Sequence, residues 1–327
     1  MAIKSIKIES FTVFEDIEID FNPDVNILIG ENGTGKTHLL KLLYVLSYYY
    51  KPYNGEDDIT QRSIFHKLRA MFPVKSIINL VRNNNDFSNV SLDSDNYSSY
   101  FSIKDRFTSA GGEGEKSTIF IPAKEMLMHS KGLPQVAKEY RMPFDDTHLD
   151  IIEKALFPLA IEIPKMVKNI LLKLEKIMDG IVVVEDNEFF IEKFDGTRIP
   201  FLLEAEGVKK IALLWQLLSN KRITNDTILF WDEPEANVNP KMIPLLVDIL
   251  LELSRNGVQI FLATHDYNFI RYFDIKKQKN DTVSFYSLYK TENGVQCEKQ
   301  DKYNYLDNNP IIEANIQLLD ESVEGFV

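Results

Sequence analysis

The sequence predicts an α/β fold with a mostly parallel central sheet flanked by helices, and three observations predict it. A glycine-rich segment, Gly30-Glu31-Asn32-Gly33-Thr34-Gly35-Lys36-Thr37, lies between an apolar run (25–29) and a helix-forming run (38–46). Two more apolar runs, 227–231 and 258–263, are each followed by a helical stretch. A polar-punctuated meander, 181–203, separates the two halves. Strands that alternate with helices become parallel neighbours, because a parallel connection needs a crossover.

Taken in order, residues 3–10 and 15–21 read as paired strands, with Ile17, Ile19 and Phe21 on the inner face. The glycine segment follows a strand and opens a helix that runs to about residue 50. Residues 51–116 read as an irregular insertion. Asn83, Asn84, Asn85 and the Ser/Asp/Asn-rich stretch 88–99 are turn-like, between short strands at 76–81 and 100–103. Residues 117–121 form a strand that Pro122 ends. The stretch 134–179 is mostly helical, divided at Pro143, Pro158 and Pro164. The meander places strands at 181–185, 188–193 and 198–203, turning at Asp186-Asn187 and Asp195-Gly196. Then come a helix at 207–219, a strand at 227–231, a helix at 241–255, a strand at 258–263 and a short helix at 266–273. A strand at 282–289 leads into a hairpin turn at Asn293-Gly294. Residues 1–327 make one domain with three lobes: 1–50, 51–200 and 201–327. An antiparallel β subdomain occupies the N-terminal side, and a helical lobe spans about 122 to 180. No heptad repeat is sustained, so no long coiled-coil arm is encoded.

Composition excludes some functions. The net charge of −12 argues against a protein that coats DNA, and any nucleic-acid contact needs a local basic patch. The single cysteine, Cys297, rules out an intramolecular disulfide and fits a reducing cytoplasm. No apolar run is long enough to span a bilayer. The N-terminus alternates like a strand and has no signal-peptide core.

Chemistry enters with the glycine segment, which has the full G-x-x-x-x-G-K-[ST] spacing in its strand–loop–helix setting. Its glycines let backbone N–H groups from Gly30 to Thr37 turn inward around a β-phosphate, and the helix N-terminus adds its positive end. Lys36 reaches the β- and γ-phosphates, and the Thr37 hydroxyl ligates Mg2+. His38 borders this contact; its ring has no context of its own and, like His66, His129 and His148, reads as structural or surface. The strand at 227–231 delivers two acids, Asp232 and Glu233, at its C-terminal end, where open α/β sheets bind ligands. Asp232 holds Mg2+, directly or through water, and Glu233 polarises the attacking water as general base. His265 ends the strand at 258–263, within reach of a γ-phosphate it can sense. Lys165, Lys168, Lys173 and Lys176 share one helix face, as a DNA-backbone patch or, more simply, a solvated face. Phe11 and Phe14 either stack on the adenine or fill the core.

These motifs, Gly30–Thr37, Asp232-Glu233-Pro234-Glu235 and Ala263-Thr264-His265, resemble in order and spacing the ABC-type ATPases of the RecF/SMC/OLD group, from Met1 to about Phe273. The resemblance implies an ABC-ATPase-like head that binds ATP and Mg2+. It implies a signature element opening the helix at 207–219, matched by Glu204-Ala205-Glu206-Gly207-Val208-Lys209-Lys210. Ala205 stands where the group carries serine, so one hydroxyl contact to the γ-phosphate is missing, while Gly207 and the helix N-terminus can still approach phosphate. The resemblance further implies that ATP is held between the phosphate loop of one copy and the signature of another. A homodimer that closes on ATP, with residues 237–240 near the contact, is expected. The segment Ile121-Pro122-Ala123-Lys124-Glu125 resembles the "IPxKE" stretch of stand-alone bacterial ATPases; Lys124 or Glu125 faces the nucleotide, or the segment is a plain loop. The glutamine loop of a transporter ATPase has no equivalent. About 60 residues follow His265, too few for the nuclease domain of OLD proteins. The expected role is a cytoplasmic sensor in bacterial anti-phage defence with a separately encoded effector. The alternative is a DNA-repair or chromosome-maintenance ATPase, and a transporter subunit ranks last.

Overall fold

The computed structural model describes residues 2–48, 57–82, 85–104, 107–112, 117–140 and 144–324. The chain begins with antiparallel strands β1 (Ile3–Phe11) and β2 (Phe14–Asp20), followed by β3 (Val25–Gly30) and α1 (Lys36–Tyr48). Next come α2 (Asp57–Met71), β4 (Asn89–Ser94), β5 (Tyr97–Ser102), β6 (Phe107–Gly112) and β7 (Ser117–Ile121). Helices α3 (Leu133–Glu139), α4 (Asp146–Ala155) and α5 (Lys165–Met178) lead to β8 (Gly180–Glu185), β9 (Glu188–Lys193) and β10 (Arg198–Pro200). The last third contains α6 (Glu206–Ser219), β11 (Thr227–Asp232), α7 (Ile243–Arg255), β12 (Gln259–Ala263) and α8 (Tyr267–Lys276). It ends with β13 (Val283–Thr291), β14 (Gly294–Gln300) and α9 (Pro310–Glu324).

The central sheet runs β14-β13-β3-β12-β11-β7, parallel except for β14. Its inner strands β3, β11 and β12 are buried on both faces, so they are largely apolar. The period of two still sorts them. Val25, Ile27, Ile29, Leu229 and Trp231 enter one core with α6, α7 and α8, whereas Leu28, Phe230 and Phe261 enter a second core with α1 and the antiparallel sheet. Asn26 is the polar exception in β3. It is fully buried and fully used: Oδ1 accepts from the Asn22 N–H (2.9 Å) and the Tyr286 hydroxyl (2.9 Å), and Nδ2 donates to the Asn22 carbonyl (3.0 Å). The fold is therefore α/β with a mostly parallel sheet, antiparallel sheets and a helical lobe.

The insertion is more regular than its composition suggests. The stretch 88–99 falls largely in the β4–β5 hairpin (89–102), which pairs with β1 and β6 in a five-stranded sheet, β2-β1-β4-β5-β6. Its polar residues alternate with Val90, Leu92, Tyr97 and Phe101, which are buried, so one face packs and the other is solvated. The strand expected at 76–81 is instead a 3-10 turn, Ile77–Leu80. The third meander strand stops at Pro200, and Phe201–Leu203 turns as a 3-10 helix. Strand β7 leaves the insertion and pairs with β11 in the central sheet. Asn83, Asn84 and Pro143 lie outside the described residues.

Candidate functional site

The loop between β3 and α1 is shaped by backbone that only glycine tolerates. Gly30 has φ +143°, and a Cβ there would lie 2.3 Å from the Leu288 carbonyl oxygen. Gly35 has φ +90°, and its missing Cβ leaves room for Val13 and Phe14. Phe14 thus packs beneath the loop, and Phe11 packs on Phe72 and Phe101 at 5.5 and 6.0 Å; both phenylalanines are fully buried, which removes them as adenine-stacking groups. Lys36 curls into the loop and donates to the carbonyls of Gly30 (2.7 Å) and Glu31 (2.9 Å). Burial pushes its pKa down, against the fields of Asp232, Glu233, Glu235 and Glu31. Thr34 braces the turn by donating to the Glu31 carbonyl at 2.9 Å. The His38 ring points to the antiparallel sheet, with Nδ1 3.1 Å from Thr12 Oγ1 and the ring in a T-shaped contact with Phe72.

Strand β11 ends beside this loop. The Thr37 hydroxyl donates to Asp232 Oδ2 at 2.8 Å, so the helix and strand termini present two hard oxygen ligands together. Burial raises the Asp232 pKa. The donor set suits Mg2+, which takes one or two protein oxygens and keeps water and phosphate for the rest. Glu233 follows with φ +47°, a left-handed conformation that non-glycine residues rarely adopt. Three contacts hold it there. Its N–H donates to the Ala263 carbonyl (2.9 Å), its carbonyl accepts from Lys210 Nζ (2.7 Å), and the Ala236 N–H also donates to that carbonyl (3.1 Å). The Glu233 Oε1 atom lies 3.3 Å from His265 Nδ1. Strand order explains the meeting: β12 lies between β3 and β11, so His265 leaves the sheet between the loop and the acids.

Two supporting groups escaped the sequence reading. Lys210, buried on α6, ties that helix to the Glu233 backbone. Glu235, also buried, accepts from the Thr264 hydroxyl at 2.6 Å and so fastens the turn after Glu233 to the residue before His265. Burial raises the Glu235 pKa. An apolar strand ending in several acids was visible in the sequence; which acid turns inward was not.

The signature segment opens α6 with Ala205 at the cap position, which offers no side-chain hydrogen bond. Glu204 Oε1 accepts the Ala205 N–H at 2.9 Å instead. Gly207 is required by packing, because a Cβ would lie 2.8 Å from the Asn237 carbonyl oxygen. The "IPxKE" segment is a structural turn at Glu125, whose buried carboxylate accepts the N–H groups of Leu127 and Met128, while Lys124 is exposed. On α5, Lys173 pairs with Glu252 at 2.6 Å, and Lys168 and Lys176 are exposed.

The loop, the Thr37–Asp232 pair and the strand-end acid together have the arrangement of a P-loop ATPase head. Known proteins agree. Residues 1–95 match the family described as "AAA ATPase domain", and residues 142–271 match "AAA domain, putative AbiEii toxin, Type IV TA system". A 47-residue stretch is 47% identical to the DNA replication and repair protein RecF of Exiguobacterium and 45% identical to that of Staphylococcus haemolyticus. That stretch is 14% of this chain and 13% of each RecF. Among solved structures, an SMC head bound to the C-terminal winged-helix domain of ScpA superposes with a TM-score of 0.60 at 12% identity, covering 94% of this chain and 100% of that one. An SMC head with an extended coiled coil, bound to the C-terminal domain of ScpA derived from Pyrococcus furiosus, gives 0.53 at 10% identity, covering 98% and 99%. The chain thus has the fold of an SMC head and a short stretch similar to RecF, and it spans only a small part of the length of the RecF proteins it matches. Among the described residues, no helix is long and apolar enough to cross a membrane.

Proposed function

We propose that the chain is an ATP-driven switch: two copies close on ATP and part after its hydrolysis. The observation that carries this reading is the joint geometry of Thr37–Asp232 (2.8 Å) and Glu233–His265 (3.3 Å) at one end of the phosphate loop. The loop N–H groups and Lys36 bind the phosphates, and entry of a γ-phosphate requires Lys36 to exchange its loop carbonyls for phosphate oxygens. Thr37 and Asp232 would hold Mg2+, which would neutralise charge developing on the phosphates. Glu233 takes the proton of the attacking water, and His265 orients Glu233 and contacts the γ-phosphate. The Gly207 turn of a second copy closes the site. Without the serine hydroxyl at position 205, that closure depends on backbone N–H groups, which favours slow turnover in the open state.

We place this switch in the cytoplasm, among DNA-repair and chromosome-maintenance ATPases. The RecF stretch and the SMC-head fold support that order over the defence role the sequence alone put first. Regulation of a separately encoded effector in anti-phage defence stays as the second reading, favoured by the AbiEii description of the 142–271 match. Phosphate release measured with and without gapped duplex DNA separates the two: stimulation supports the repair reading, and indifference to DNA removes it. Glu233→Gln with saturating ATP and Mg2+ should hydrolyse at least about 100-fold more slowly than the wild type, from loss of the general base. It should also elute as a dimer. A monomer under those conditions would end the switch model, and wild-type turnover would show that Glu233 is not the base.

A further inference from the structure

The sheet has two flanks around the phosphate loop, and the site described so far uses one. Asp232, Glu233 and His265 all come from β11 and β12, on one side of β3. On the proposed function Thr37 and Asp232 would hold the metal there, which puts the γ-phosphate end of a bound nucleotide toward that side. The nucleoside has to leave the loop on the other side, toward β13. There, β13 pairs with β3 in a register that sets Leu288 beside Gly30 and carries the strand two residues past the start of the loop. Lys290 stands at that point. Its Nζ donates to the Asn32 carbonyl at 3.3 Å and lies 3.8 Å from where a Gly33 Cβ would be.

Lys36 takes the Gly30 and Glu31 carbonyls from inside the loop, whereas Lys290 reaches the Asn32 carbonyl from β13, on the loop's other flank. What it can meet is whatever emerges from the loop. Lys290 is exposed, and among the described residues no carboxylate forms an ion pair with it. An ammonium carries three donors, and one carbonyl uses one of them. The aromatic candidates for the base are gone, since Phe11 and Phe14 are buried. The neighbouring border is the β1–β2 turn, where the Val13 carbonyl accepts the Val295 N–H at 3.4 Å, holding the two hairpins side by side.

We propose that Lys290 binds the nucleoside of the nucleotide, donating to a ribose oxygen while its alkyl stem lies along the base. This rests on the reading of the loop as a nucleotide site, and it assigns β13 the job of telling a nucleotide from a bare polyphosphate. The test is calorimetric titration of wild type, Lys290→Ala and Lys290→Arg with ADP and, separately, with tripolyphosphate. Lys290→Ala should weaken ADP roughly tenfold, the scale of one charge-assisted hydrogen bond. Tripolyphosphate should change less than about twofold, and Lys290→Arg should recover most of the ADP affinity. Equal weakening of both ligands would make Lys290 a brace for the loop and overturn the proposal, as would unchanged ADP affinity. Neither result touches the nucleotide-site reading, which fails only if the wild type binds neither ligand.

Discussion

Gly207 offers the sharpest test of how the signature helix is seated. In Gly207→Ala the new methyl would lie 2.8 Å from the Asn237 carbonyl oxygen and 3.0 Å from Val238 Cα. Both obstacles are backbone, and Asn237 is already held at φ +62°, so neither can swing aside as a side chain would. Forcing a methyl into such a gap costs about 1–3 kcal/mol. Against this stands the better helix propensity of alanine, worth at most about 1 kcal/mol and less in a first turn. Gly207 is the second residue of α6, so the clash wins and the net loss is about 1–2 kcal/mol. For a chain of this size that lowers the melting temperature by a few degrees, about 2–4 °C per kcal/mol. The displaced turn is bonded to Glu233 through the Ala236 N–H, so phosphate release should fall more steeply than ADP affinity. Thermal denaturation followed by circular dichroism measures the first effect, and titration with ADP alongside steady-state turnover measures the second. A melting temperature equal to or above that of the wild type would refute the packing argument.

Other outcomes follow from neighbouring contacts. Thr264→Val removes the hydroxyl that Glu235 accepts from, leaving a buried carboxylate without that donor; stability should drop by about 1–3 kcal/mol in urea titration. Lys36→Ala should abolish ADP binding in the same calorimeter, because the loop loses the only cation inside it among the described residues. His38 and His148 both have pKa values lowered by burial, so the unfolded chain takes up protons first as pH falls through about 6.5. Their contribution to stability is therefore fully present above that pH and lost below it, with positive slope of stability against pH. His38→Gln should flatten that slope in urea melts between pH 5 and 7, and an unchanged slope would remove His38 as a cause.

What the sequence made legible was whatever is encoded by neighbours along the chain. The phosphate loop is eight consecutive residues between a strand and a helix, and Asp232 and Glu233 end an apolar strand, so spacing alone announced them. The run 25–29 announced a buried strand, but which of its side chains enters which of the two cores came only with the structure. The hairpin at 89–102 stayed hidden because serine, asparagine and aspartate dominate its count, while the signal lies in the period of Val90, Leu92, Tyr97 and Phe101. Contacts that tune the site are of another kind. Lys210 reaches the Glu233 carbonyl across 23 residues, Glu235 meets Thr264 across 29, and Lys290 meets Asn32 across 258. No local pattern distinguishes those side chains from solvated ones. They are fixed by strand order: inserting β12 between β3 and β11 brings His265 to the acids, and laying β13 on the far side of β3 brings Lys290 to the loop. Motif spacing thus locates the loop, whereas topology decides which side chains surround it. The residues that distinguish this head from others with the same loop are therefore to be sought at the strand ends rather than within the motifs.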